Sequence, residues 1–203
     1  MRTSIARSAV LILLGSFACF AQLTDSERDF ALSHLYASEK MFLVSVDRLS
    51  PAQLNFRAAP NRWSIAECAE HIALAEDFIF GFITDHVVKS TAVPDHKASD
   101  ADDQKVIATT VDRSKKFTAP EPIQPSSKFA SVDEAVAHFE KSRAHVLDYV
   151  RSGQDDLRHH VAQSTATGSP IDGYQWILML SAHTERHVAQ IAEVKADPNF
   201  PKN

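Results

Sequence analysis

The stretch Trp63-Ser64-Ile65-Ala66-Glu67-Cys68-Ala69-Glu70-His71-Ile72 decides how this chain is read. Ser64 followed three residues later by Glu67 is a capping box, in which each side chain satisfies a backbone N–H that the start of a helix leaves orphaned. Beyond it, Cys68, His71, Ala75, Phe78 and Phe82 recur at helical spacing, with Ile65, Ile72 and Ile79 beside them. The period predicts a helix running to about Lys89, with His71 on its inward stripe.

Working outward, three further segments carry the same period. One opens at the box Thr24-Asp25-Ser26-Glu27 and runs to about Ser50, with Phe30, Leu35, Phe42, Leu43 and Val46 apolar and Pro51 ending it. A third opens at Ser131-Val132-Asp133-Glu134 and runs to about Arg151, before Gly153. The fourth spans about Tyr174 to Lys195, with Pro198 and Pro201 beyond it. Between the second and third lie residues 90–130, punctuated by Pro94, Pro120, Pro122 and Pro125. A segment that long in a compact domain carries some structure of its own, and a short helix is expected near Asp102–Ser114. Residues 153–172 read as a loop. The expected fold is all-α: a four-helix bundle with a long crossover between the second and third helices, permitting a parallel pair there.

The chain has 203 residues, 44% of them hydrophobic and 23% charged, the composition of one globular domain. Five glycines are too few for a hairpin-rich β architecture. Lys and Arg number 21 against 26 Asp and Glu, a formal charge of −5, the wrong balance for neutralising nucleic-acid phosphates. Arg2 and Arg7 precede the apolar run from Ala9 to Ala21, which is too short to span a bilayer and ends in a small-residue cleavage pattern. Residues 1–21 are therefore read as a signal peptide and residues 22–203 as the bundle domain, exported to the periplasm or secreted, with no stable membrane insertion after cleavage. Cleavage removes two Arg and leaves 19 − 26 = −7. It also removes Cys19, so Cys68 stands alone and no internal disulfide is expected.

The chemistry is concentrated in the fourth segment, Leu180-Ser181-Ala182-His183-Thr184-Glu185-Arg186-His187-Val188-Ala189-Gln190-Ile191. Residues i and i+4 lie one turn apart on one face, so His183 and His187 can share one metal ion. Both fall in the inward stripe of Trp176, Leu180, Ile191 and Val194. Imidazoles in a core need partners, and three converging on a divalent cation would satisfy one another. His71, His183 and His187 are the candidate ligands, leaving coordination positions open to water or substrate. The spacing alone also fits inward histidines that bond only backbone carbonyls.

The two quoted stretches, with Gln175-Trp176 ahead of the second, resemble the DinB-like superfamily of metal-binding four-helix bundles, the DinB/YfiT-like group, over essentially residues 24–198. The resemblance implies that His71, His183 and His187 bind a divalent metal, often zinc or nickel, and that the helices run up-up-down-down. It implies, for the groups with known activities, transfer of low-molecular-weight thiols or thiol-dependent isomerisation. Export argues against cytoplasmic thiols as reagents and slightly favours hydrolysis. Whether the centre is catalytic, or a non-catalytic module in which metal holds helices together, stays open, as do the small-molecule partner and a homodimer.

Other residues carry two readings each. Glu67 serves as the capping acid or orients His71; Gln190 bonds a water at the centre or ties helices together. Arg186 and Glu185 form a surface ion pair, or Arg186 binds an anion at the mouth of the site, with the solvated face the favoured reading. Cys68 reads as an apolar filler, His34, His138 and His145 as ordinary helix histidines, and His159 and His160 as solvated loop residues. Trp63 is expected to pack under the start of the second helix rather than to wall a pocket.

Overall fold

A computed structural model describes residues 22–202. The signal peptide assigned to residues 1–21 lies outside the described residues. Among them, no helix is long and apolar enough to cross a membrane.

Helix α1 spans Asp25–Val46, and the short α2 spans Pro51–Leu54. Helix α3 spans Ile65–Phe82 and continues as a π-helical turn, Ile83–Val87. Helix α4 is Asp100–Val111, a 3₁₀ turn occupies Glu121–Ile123, and α5 is Val132–Ser152. Strand β1 (Val161–Gln163) pairs antiparallel with β2 (Pro170–Asp172), and α6 runs Gly173–Lys195. The bundle consists of α1, α3, α5 and α6, with α4 laid against α6.

Contacts along each pair give the directions. Tyr174 donates to the Glu27 carbonyl, and Ser181 and Glu185 meet Ser38 and His34, so α1 and α6 run parallel. Asp77 meets His138 and Phe80 meets Tyr149, so α3 and α5 also run the same way. His71 faces His187 while Phe82 packs on Trp176, which makes α3 and α6 antiparallel. The order is up-down-down-up rather than up-up-down-down, because the connection through residues 47–64 reverses the chain and sets α3 across the bundle from α1, packed on α5 and α6.

Local chemistry explains most boundaries. The boxes at Thr24–Glu27 and Ser64–Glu67 both form. The one expected at Ser131 is half made: Ser131 caps Glu134 N–H, but the Glu134 carboxylate takes the Ala130 N–H instead. Pro51 starts α2 rather than ending α1, since its fixed φ and missing N–H suit a first helical position behind the Ser50 cap. The loop read over residues 153–172 holds the small β hairpin, whose three-residue strands are too short to show an alternation. Helix α6 has its own box, Asp172 with Gln175, and begins at Gly173, where a Cβ would lie 2.8 Å from Leu157 Cδ2.

One buried residue ties all four helices. Arg143 of α5 is wholly inaccessible. Its Nε and Nη2 grip the Glu76 carboxylate of α3 at 2.6 and 2.9 Å. Nη1 donates to the Leu35 carbonyl and Ser38 Oγ of α1 at 2.6 and 2.9 Å, and Nη2 to Thr184 Oγ1 of α6 at 3.2 Å. All five guanidinium donors are used, the condition under which a charge is tolerated in a core. The Phe42 and Phe139 rings meet edge-on at 4.9 Å beside it.

Candidate metal centre

His71 sits on α3 two turns beyond the Ser64 cap; His183 and His187 sit on α6. Antiparallel packing of these helices brings the three rings together. His71 Nε2 lies 3.3 Å from His183 Nε2 and 3.1 Å from His187 Nε2. His71 and His187 are buried and His183 is half-buried. Burial holds the His71 ring below its usual pKa, and holds His183 and His187 well below theirs, each further disfavoured by neighbouring positive charge. All three rings are neutral at pH 7.

Their tautomers follow from fixed partners. His71 Nδ1 lies 2.7 Å from the Ile123 carbonyl, an acceptor only, so the proton is on Nδ1. His187 Nδ1 lies 3.0 Å from Gln190 Oε1, and Arg113 Nη1, a donor only, lies 3.2 Å from that same oxygen. Arg113 thus fixes which end of the amide faces the ring, and His187 also carries its proton on Nδ1. Both Nε2 atoms then present lone pairs to each other at 3.1 Å, with no proton to share. Such an arrangement is repulsive unless a cation lies between the lone pairs. Three nitrogens about 2.0–2.1 Å from one ion in tetrahedral geometry would stand about 3.3 Å apart, and the observed separations fit that group.

Surrounding residues set the rings in place. The Trp63 indole packs on His71 at 4.8 Å between centroids and stacks near His187 at 6.0 Å. The Ile123 carbonyl comes from the proline-rich crossover segment, which Glu70 anchors: its carboxylate accepts the N–H groups of Ser126, Ser127 and Lys128 at 2.9, 3.1 and 2.9 Å. Ser127 adopts φ of 61° within that clasp. The segment read only as a connection is therefore what orients one of the three rings.

The triad opens on a chamber of about 970 Å³. Its walls are aromatic and apolar (Phe78, Phe82, Phe117, Trp176, Met179) and its charged lining is all basic: Arg62, Arg113, Lys116 and Arg186. Trp63 also lines it, so the residue expected only to pack under a helix forms part of the wall. A cavity of this size holds a drug-sized ligand.

The remaining readings divide. Glu67 makes the capping box and receives Arg57 at 2.5 Å; it does not bond His71. Gln190 ties α6 to the segment after α4 by receiving Arg113, and its Oε1 also faces His187 Nδ1, a contact the sequence did not suggest. Cys68 is a buried filler with its thiol pushed up to about 12 by burial. Arg186 is not on a solvated face: it is buried and donates to the carbonyls of Thr110, Asp112 and Lys115. His160 is half-buried, its Nδ1 2.8 Å from the Ser90 carbonyl, rather than solvated. Arg113 went unnoticed in the sequence, because nothing local links it to a glutamine on α6.

A family model described as the DinB superfamily matches residues 34–191. Among solved structures, the chain is similar to YfiT from Bacillus subtilis, described as a probable metal-dependent hydrolase with an unusual four-helix bundle topology. The TM-score is 0.57 at 12% identity, covering 93% of this chain and 97% of that one. At that identity the likeness speaks to the fold. No curated protein matches the chain.

Proposed function

This chain belongs to the DinB superfamily, and on that premise we propose that His71, His183 and His187 bind one divalent metal ion, zinc or nickel, at the head of a chamber where a small-molecule substrate is hydrolysed. The observation that carries the reading is the pair of proton-free Nε2 atoms facing each other at 3.1 Å. A bound divalent cation supplies Lewis acidity and lowers the pKa of water in its open positions. The chain's own residues do the rest. Ile123 and Gln190 hold the His71 and His187 rings in the tautomer that aims Nε2 inward, the role such outer partners play at histidine metal sites. Trp63 packs against both rings and keeps bulk water from their faces. No carboxylate lines the chamber among the described residues, so its charged groups bind and orient rather than accept a proton.

A large chamber beside the triad favours this reading over a sealed structural metal, whose coordination would be closed. Export, proposed from Arg2, Arg7 and the run Ala9–Ala21, favours hydrolysis over transfer of cytoplasmic thiols. The test is a screen of ester and amide substrates, with and without added thiols, on metal-loaded protein and on His187→Ala. Turnover without thiol that needs His187 supports the proposal. Turnover only with thiol points to group transfer, and activity unchanged in His187→Ala refutes both.

A further inference from the structure

We propose that Arg186 is the anion-binding residue of this chamber and that the substrate is an amphipathic anion, an apolar chain or ring carrying one carboxylate or phosphate. The inference rests on the chamber being the place of reaction, and it concerns what occupies it. Arg186 is buried and makes no ion pair among the described residues, although the carboxylates of Asp112 and Glu193 lie near enough to favour its charge. Its Nη1 donates to the Thr110 carbonyl at 3.1 Å and to that of Asp112, and its Nη2 to the Lys115 carbonyl at 2.5 Å. Those contacts use three of the five guanidinium donors. Nε–H and one Nη2–H have no protein partner among the described hydrogen bonds.

Nε and Nη2 are the atoms through which two other arginines, one in the core and one beside the chamber, hold acids. Arg143 grips Glu76 with them at 2.6 and 2.9 Å. Arg113 grips Glu193 with them at 2.5 and 2.8 Å. In Arg186 the same two nitrogens belong to a residue lining the chamber, so a ligand can supply the direct carboxylate or phosphate contact that no acid of the described residues makes with it. Carbonyls of the crossover segment fix the guanidinium in place, which removes most of the entropy cost of recruiting it. The Phe117 ring lies 5.2 Å from its Cζ, and Phe78, 43% exposed, and Phe117, 51% exposed, leave apolar surface at the chamber that a ligand body would cover. A basic, aromatic-walled chamber in an otherwise acidic chain selects for that pairing of charge and apolar body.

The chain's two tryptophans, Trp63 and Trp176, both line the chamber, so intrinsic emission reports occupancy directly. The experiment titrates the full chain with octanoate, octyl phosphate and octanol in the presence of a chelator, so that coordination of the anion to metal contributes nothing. The expected result is saturable binding, with octanoate or octyl phosphate at least about tenfold tighter than octanol, the scale of a charge-assisted hydrogen bond. The stronger of the two identifies the headgroup. Arg186→Gln should abolish that preference while leaving octanol binding unchanged, and Arg186→Lys should restore part of it. Equal affinities for the octyl anions and octanol in the unaltered protein overturn the proposal even if Arg186→Gln does not fold. So does a preference that survives in Arg186→Gln. Equal affinities would leave the metal centre standing, whereas loss of divalent-ion binding in a separate titration would remove the hydrolytic reading and leave the anion preference intact.

Discussion

Replacing Arg143 with Met removes a buried side chain that bonds from α5 to each of the other three bundle helices. The substitution keeps most of the volume but deletes five hydrogen bonds and strands Glu76, itself buried, without a counter-charge. Burial pushes the Glu76 carboxyl up, and the Arg143 charge is what draws it back. Breaking a buried pair from one side costs about 3–5 kcal/mol. For a domain of this size, about 2–4 °C of melting temperature accompanies each kcal/mol, so the expected fall is about 6–20 °C, read by circular dichroism on metal-free protein. The double substitution Arg143→Met with Glu76→Leu removes the stranded charge as well. Because burying an ion pair gains little over burying apolar groups of similar volume, the double variant should recover most of the loss. Ser38 supports this, since it keeps its contact to Ser181 without the arginine. A single-variant loss below about 1 kcal/mol, the scale of a surface pair, would refute the reasoning. A double variant no more stable than Arg143→Met would refute it equally.

Three further outcomes are expected. Gln190→Leu removes the acceptor that fixes the His187 tautomer and should weaken divalent-ion binding about 10–100-fold; calorimetric titration checks this, and an unchanged affinity contradicts the tautomer assignment. Phe42→Ala opens a cavity against Phe139 and should cost about 3–5 kcal/mol in urea denaturation; less than about 1 kcal/mol would mean the two rings are not packed as described. On acidification, Glu193 is held below its ordinary 4.5 by Arg113, and Glu27 is held below the same value because bonds from Thr24 and Arg158 outweigh burial, which acts the other way. The unfolded chain therefore takes up these protons first, so their contribution is complete above about pH 4.5 and is lost as pH falls through the lower folded-state values. The urea midpoint should drop across that range, and less steeply in Glu193→Gln.

What the sequence disclosed was local. Capping boxes, the 3.6-residue period and the four-residue spacing of His183 and His187 are short-range signals, and each predicts an element or a facing pair without knowledge of the rest of the chain. Spacing alone left the convergence of His71 with that pair open, and it was the resemblance to the DinB-like superfamily that implied it. Arg143 was not legible: on α5 it looks like any basic residue of an amphipathic helix, and its burial depends on Glu76, far away in sequence. Arg186 was misread for the same reason, since the carbonyls that hold it belong to the end of α4 and the loop after it. Glu70 and Ile123 show how the proline-rich segment takes part in the site, through backbone groups whose side chains give no hint of it. Helix order was also beyond local reading, because direction depends on which connection turns back and which passes over.

The central claim is that three neutral imidazoles share one cation. Its most direct test is the metal stoichiometry of tagless protein equilibrated with zinc or nickel and freed of excess ion. About one ion per chain is predicted, falling to background in each of His71→Ala, His183→Ala and His187→Ala while the fold persists. Protein that retains no ion, or a His187→Ala variant that retains as much as the parent, would contradict the account.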